Sequence, residues 1–106
     1  MDEGTSRRRV IHIGLPELSE EQLIEIGELA QETIIKHVFD VLNRSDVKDI
    51  EVTMKINRDE TLDLEVEVYL EVPIFVKVDV EGLINDALEN AYGAVERRLR
   101  EIAGKG

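Results

Sequence analysis

From Leu62 to Val72 the chain reads Leu-Asp-Leu-Glu-Val-Glu-Val-Tyr-Leu-Glu-Val, apolar at every even position and polar or amphipathic at every odd one. Strict alternation is the mark of a strand with one buried face and one wet face. No helix could gather those apolar residues on one side. Such a strand belongs to an antiparallel or mixed sheet covered on one side only, so the cover must come from the rest of the chain.

Two amphipathic helices supply it. In Leu18-Ser19-Glu20-Glu21-Gln22-Leu23, Ser19 stands at an N-cap and Gln22 three residues on, a capping box. Leu18 and Leu23 take the positions of a hydrophobic staple. Glu20 and Glu21 fall in the first turn, where the helix dipole favours anions. Leu23, Gly27, Ala30, Ile34, Val38 and Val41 then recur at steps of three and four, widened by Ile26, Ile35, Phe39 and Leu42 into one apolar stripe. Gly27 costs about 1 kcal/mol against alanine in mid-helix, which predicts close approach of another backbone. Asn43 to Asp46 supplies turn residues that end the helix. The second helix begins near Asp79, a candidate N-cap, with Ile84, Leu88, Ala91, Val95, Leu99 and Ile102 as its stripe.

Three further segments alternate. Val10 to Leu15 predicts a short strand closed by Gly14 and Pro16. Ile50 to Ile56 predicts another, joined to the long strand by a hairpin loop over Asn57 to Thr61. Pairing Ile56 with Leu62 brings the apolar faces together and sets Lys55 opposite Asp63, at the cost of Glu51 opposite Glu67. Beyond Pro73, residues Ile74, Val76, Val78 and Val80 keep the same phase. Because proline cannot donate to a ladder, residues 74–80 are either a continuation or a separate short strand.

The order is β-α-β-β-(β)-α, which predicts an α+β two-layer sandwich with two helices on one face of a mostly antiparallel sheet. The chain divides into a flexible N-terminal tail over 1–8, a single domain over 9–103 and a frayed C-terminus over 104–106. At 106 residues one core is sufficient.

Composition narrows the function classes. There is no cysteine, which excludes a disulfide framework, a thiolate zinc site and a cysteine nucleophile. A formal charge of −11 argues against direct nucleic-acid binding, which needs several phosphate-neutralising cations. The run Arg7-Arg8-Arg9 is too short to reverse that, and is expected to pair with the chain's own carboxylates. No apolar run approaches the roughly 18 residues of a membrane span, and Met1 to Arg9 lacks the apolar segment of a signal peptide. A soluble cytoplasmic protein is the expectation. Charged residues at 35% with scarce Cys and Met follow the thermophile trend.

Candidate chemistry is sparse. Glu51, Asp63, Glu65, Glu67 and Glu71 project from the sheet side away from the helices, and they chiefly read as a solvated face that also guards against edge aggregation. An alternative is a magnesium or calcium site at Asp63, Glu65 and Glu67 through oxygen ligands. Tyr69 interrupts this ladder and is expected to be exposed, where an aromatic ringed by charge can anchor a partner. Glu65, Glu67, Tyr69 and Glu71 are therefore the candidate partner-binding residues. Ser6, Ser19 and Ser45 fall in a tail, a cap and a turn, and neither His12 nor His37 stands at a spacing that serves a nucleophile or a metal. No catalytic residue and no cofactor are expected.

With Val10-Ile11-His12-Ile13-Gly14-Leu15-Pro16, Leu18-Ser19-Glu20-Glu21, Glu65-Val66-Glu67-Val68-Tyr69 and Val72-Pro73-Ile74-Phe75-Val76 in view, the chain resembles a small archaeal family of uncharacterised proteins over roughly Arg9 to Ile102. Members of that family tend to be encoded near prefoldin and the KEOPS tRNA-modification complex. The resemblance implies association with translation or RNA modification and no established activity. The element order is also similar to the small dimerising subunit of KEOPS. The first helix, hairpin and long second helix are similar to alkaline shock proteins. Both likenesses imply a scaffold or interaction role, and the first implies dimerisation through the sheet or helices. The expectation is a non-catalytic protein–protein interaction module, a homodimer or an accessory subunit. The alternative is a metal- or small-ligand-binding protein using the acidic sheet face.

Overall fold

Leu64, Val66, Val68, Leu70 and Val72 are all wholly buried, and the rest of the molecule is arranged to bury them. The computed structural model describes residues 4–105. The elements are β1 (Gly4–Leu15), α1 (Glu20–Val41), a short 3-10 turn (Arg44–Asp46), β2 (Asp49–Arg58), β3 (Leu62–Pro73) and α2 (Val80–Lys105). The sheet order is β1-β3-β2. Both neighbours run antiparallel to β3, so β1 and β2 are parallel to each other with β3 between them. The architecture is the α+β two-layer sandwich that the alternation predicts.

The core lies between β3 and the helices. Ile26, Ala30, Ile34 and Val38 of α1 meet Ile84, Ala87, Ala91 and Val95 of α2, all at zero exposure, above the even row of β3. Ser19 accepts from the Gln22 amide while the Gln22 side chain accepts from the Ser19 amide, so the capping box forms. Asp79 caps α2 by accepting from the Gly82 amide at 3.1 Å. The helices are tied side by side by Arg98 to Glu25 and by Asn90 to His37 at 2.8 Å, which makes His37 a boundary residue between them.

Five local expectations are corrected. β1 starts at Gly4, so residues 4–8 of the expected tail are strand; residues 1–3 lie outside the described residues. Pairing with β3 from Gly4↔Pro73 to Arg8↔Tyr69 orders a stretch whose own apolar pattern is too weak to announce it. At the other end α2 continues to Lys105, so of the expected frayed tail only Gly106 lies outside the described residues. Residues 74–79 form turns and irregular backbone, with no strand. The Val76 amide bonds back to the Pro73 carbonyl at 3.0 Å, reversing the chain at once.

The hairpin register is shifted by two from the expected one. Ile56 faces Leu64, Lys55 faces Glu65 and Arg58 faces Leu62, leaving Asp59, Glu60 and Thr61 as the loop. A two-residue shift keeps every apolar side chain inward. It lengthens the ladder and replaces the Glu51–Glu67 clash by Glu51↔Tyr69 and Thr53↔Glu67. Lastly, a Cβ built on Gly27 would meet nothing within 4 Å. No backbone approaches there within the chain; Gly27 opens onto a groove.

Candidate functional site

The outer face of the sheet is uncovered, and its centre is Tyr69. Alternation sends Asp63, Glu65, Glu67, Tyr69 and Glu71 of β3 to this face. The register flanks them with Ser6, Arg8, Val10 and His12 of β1 and with Asp49, Glu51, Thr53, Lys55 and Asn57 of β2. The structure thus brings the candidate residues Glu65, Glu67, Tyr69 and Glu71 onto one surface.

Tyr69 is half-buried, not exposed as expected. The Arg8 guanidinium lies over its ring, 4.8 Å from the centroid, and also pairs with Glu67. The Tyr69 hydroxyl donates to Glu71 at 3.0 Å. That hydrogen bond to Glu71 is the main cause holding its pKa above the ordinary phenol value, and the Glu67 contact raises that of Arg8. Sequence pattern placed Arg8 in a tail, so its cover over the ring was hidden; only the strand register discloses it.

The remaining carboxylates are also engaged. His12 Nδ1 lies 2.8 Å from Asp63, and the Asn57 amide donates to Asp63 at 3.1 Å and to Glu65 at 3.4 Å. Lys48 stands 3.6 Å from Glu71. The His12 bond lowers the Asp63 pKa, helped by Asn57, and the same bond raises that of His12. One oxygen each of Asp63, Glu65 and Glu67 is therefore engaged by His12, Asn57 or Arg8. Among the described residues no group of three or more His, Asp and Glu converges as a metal site. What this surface offers chemically is a set of fixed charges around one aromatic ring.

Alternation alone did not reveal the apolar tip. After β3, Ile74 and Phe75 are 64% and 73% exposed. Ile74 keeps the phase of the core row and Phe75 falls on the opposite one, but the turn at Pro73 removes both from the sheet. Pro73 was the signal that could have separated them.

Fold and surface define a class: a small split β-α-β sandwich with an open, charge-ordered sheet face. The chain belongs to a family of proteins of unknown function, DUF3194, whose model matches residues 15–98. It is 77% identical to an uncharacterised protein of Thermococcus kodakarensis, covering 93% of this chain and 92% of the relative. It is 64% identical to another uncharacterised protein, from Pyrococcus horikoshii, covering 93% and 86%. A crystal structure from Thermococcus onnurineus superposes with a TM-score of 0.91 at 77% identity, covering 96% of this chain and 99% of that one. The solution structure of a hypothetical protein from Methanothermobacter thermautotrophicus has a TM-score of 0.71 at 22% identity, covering 84% and 97%. It shares the fold. The resemblance to a small archaeal family of unknown function is thus shown.

Proposed function

We propose that this protein is a non-catalytic interaction module, an accessory subunit or homodimer that presents the outer sheet face to a protein partner. The cytoplasm is its proposed compartment, and translation or tRNA modification, implied by the resemblance, its proposed setting. The arrangement around Tyr69 carries the reading. Its ring is held under Arg8 and its hydroxyl is tied to Glu71, so a partner meets an aromatic anchor whose position is already fixed. Fixing the anchor beforehand reduces the ordering cost of association, and tyrosine and arginine are the residue types in which interface energy concentrates.

No described helix is long and apolar enough to cross a membrane, which is consistent with a partner met in solution. The test is a tagged pull-down from native extract at moderate salt, comparing the wild type with Tyr69→Ala. One stoichiometric partner is expected with the wild type. Its apparent Kd should weaken by about thirtyfold in the variant, the scale of an interface hot spot. Retention of only a mixture of basic proteins that wash off together contradicts the proposal.

A further inference from the structure

We infer that two copies of this chain join through the free edge of β2, about a two-fold axis at Thr53, into one continuous six-stranded sheet. This assigns a surface other than the outer face, and it stands or falls separately from the reading above.

The first observation is incomplete cover. Ile50, Val52, Met54 and Ile56 of β2 point to the helix side, as the even row of β3 does, yet each is only half-buried whereas the β3 row is wholly buried. Between β2 and α1 runs a groove of about 360 Å³ lined by Leu23, Ile24, Gly27, Met54, Ile56 and Leu64. Ile24 on its wall is 60% exposed. Gly27 leaves open space where a Cβ would stand. A helix that carries a costly glycine beside an exposed isoleucine, over a half-covered strand, is shaped for another element to come close.

The occupant is identified by the strand itself. An isologous contact brings each residue against its counterpart across the axis, so it needs a self-complementary surface. With Thr53 facing Thr53 of the second copy, Glu51 of each chain faces Lys55 of the other, and Asp49 faces Asn57. On the helix side Val52 faces Met54 and Ile50 faces Ile56. Each of these is a favourable cross-strand combination, and all but the Thr53 pair on the axis occur twice. The cations at the two ends are already matched within the chain, Lys48 by Glu71 and Arg58 by Glu20. At the ends of the pair Lys48 faces Arg58 of the other copy, each held by its own carboxylate. From Lys48 to Arg58 the cations Lys48, Lys55 and Arg58 stand with the anions Asp49 and Glu51, so this edge escapes the repulsion that a net charge of −11 imposes elsewhere.

The other free edge does not pass the same test. β1 carries Arg7, Arg8 and Arg9 with no acidic residue between Gly4 and Leu15. Among the described residues, a two-fold register of β1 on itself either sets arginine against arginine or leaves the arginines opposite apolar residues, glycine, threonine, serine or His12, never opposite an acidic residue. A cationic row of this kind protects an edge from pairing. In the β2 pair, the two α1 helices lie side by side above the junction and close the groove. The two outer faces become one surface with a Tyr69 in each half.

The experiment is sedimentation equilibrium of the full chain at moderate salt, on the wild type, Lys55→Glu, Glu51→Lys, the double variant and Arg7→Glu. Far-UV circular dichroism establishes that each variant is folded. The wild type is expected to be a dimer. Each β2 reversal sets like charges opposite one another twice and raises the dimer Kd about tenfold or more. The double variant restores the wild-type Kd, because opposite charges again face each other, and Arg7→Glu leaves it unchanged. A wild type that stays monomeric throughout overturns the inference. So does a dimer indifferent to the β2 reversals, a folded double variant that stays dissociated, or a dimer weakened by Arg7→Glu. If one reversal fails to fold, the other reads the same contact.

Discussion

His12 and Asp63 meet diagonally across β1 and β3, since His12 faces Glu65 and Asp63 faces Gly14 in the ladder. Their contact at 2.8 Å has a pH signature. The His12 pKa is raised, chiefly by the hydrogen bond to Asp63, so its stabilisation is complete below the unfolded value, about 6.5, and is lost as pH rises through the folded one. The Asp63 pKa is lowered, chiefly by the hydrogen bond to His12. Its stabilisation is complete above the unfolded value, about 3.9, and is lost as pH falls through the folded one. Both contributions are therefore full between about pH 3.9 and 6.5. An NMR titration of the His12 ring should give a pKa above the ordinary histidine value, returning toward it in Asp63→Asn. An unchanged His12 titration in that variant contradicts the pairing. The sequence puts His12 on the strand predicted over Val10 to Leu15; its partner becomes visible only with the register.

At the scale of elements, local signals were legible and long-range ones were not. The capping box at Ser19, the apolar rows of β2 and β3 and the Asp79 cap are all written in neighbouring residues, and all form as expected. The hairpin register was missed by two because its apolar rows match equally well in either register. Lys55 faces a carboxylate in both; what distinguishes them is Glu51, opposite Glu67 in the expected register and opposite Tyr69 in the observed one. The same limit hid the first half of β1, where Gly4 to Arg9 is strand by virtue of β3 beside it.

Gly27 was expected to admit another backbone, and within the chain it admits none. The mid-helix penalty is therefore not offset by packing inside the monomer. Gly27→Ala should stabilise the isolated chain against urea by about 1 kcal/mol, the helix-propensity difference, measured at a concentration where the chain is monomeric. Destabilisation would show that a close contact at Gly27 exists within the chain.

The whole molecule is long and thin, 51 × 26 × 19 Å, with a radius of gyration of 15.2 Å against about 13 Å for a compact chain of this length. A three-stranded sheet under two long helices has a fully covered centre and two open margins. The buried β3 row sits between half-buried β2 and partly exposed β1. That shape is incomplete along β2, where the residues are self-complementary. Along β1 a groove also remains, against α2, lined by Val10, Ile11, Leu88 and Tyr92, but there arginines guard the edge. Half of the candidate surface, the carboxylates and Tyr69, could be read from alternation. The Arg8 cover, the Gly27 groove and the contrast between the two edges arise only when strands distant in sequence are set beside each other.

The claim that this chain works by contact with protein surfaces, the first being a second copy of itself, is most directly tested by residue-resolved amide hydrogen exchange at a concentration well above the dimer Kd. In a single chain, the amides of β1 and of β2 that point away from β3 are equally open to water. The account predicts that those of β2 between Asp49 and Asn57 are protected as strongly as the amides bonded to β3, while those of β1 exchange fast. Fast exchange along both edges alike would contradict it.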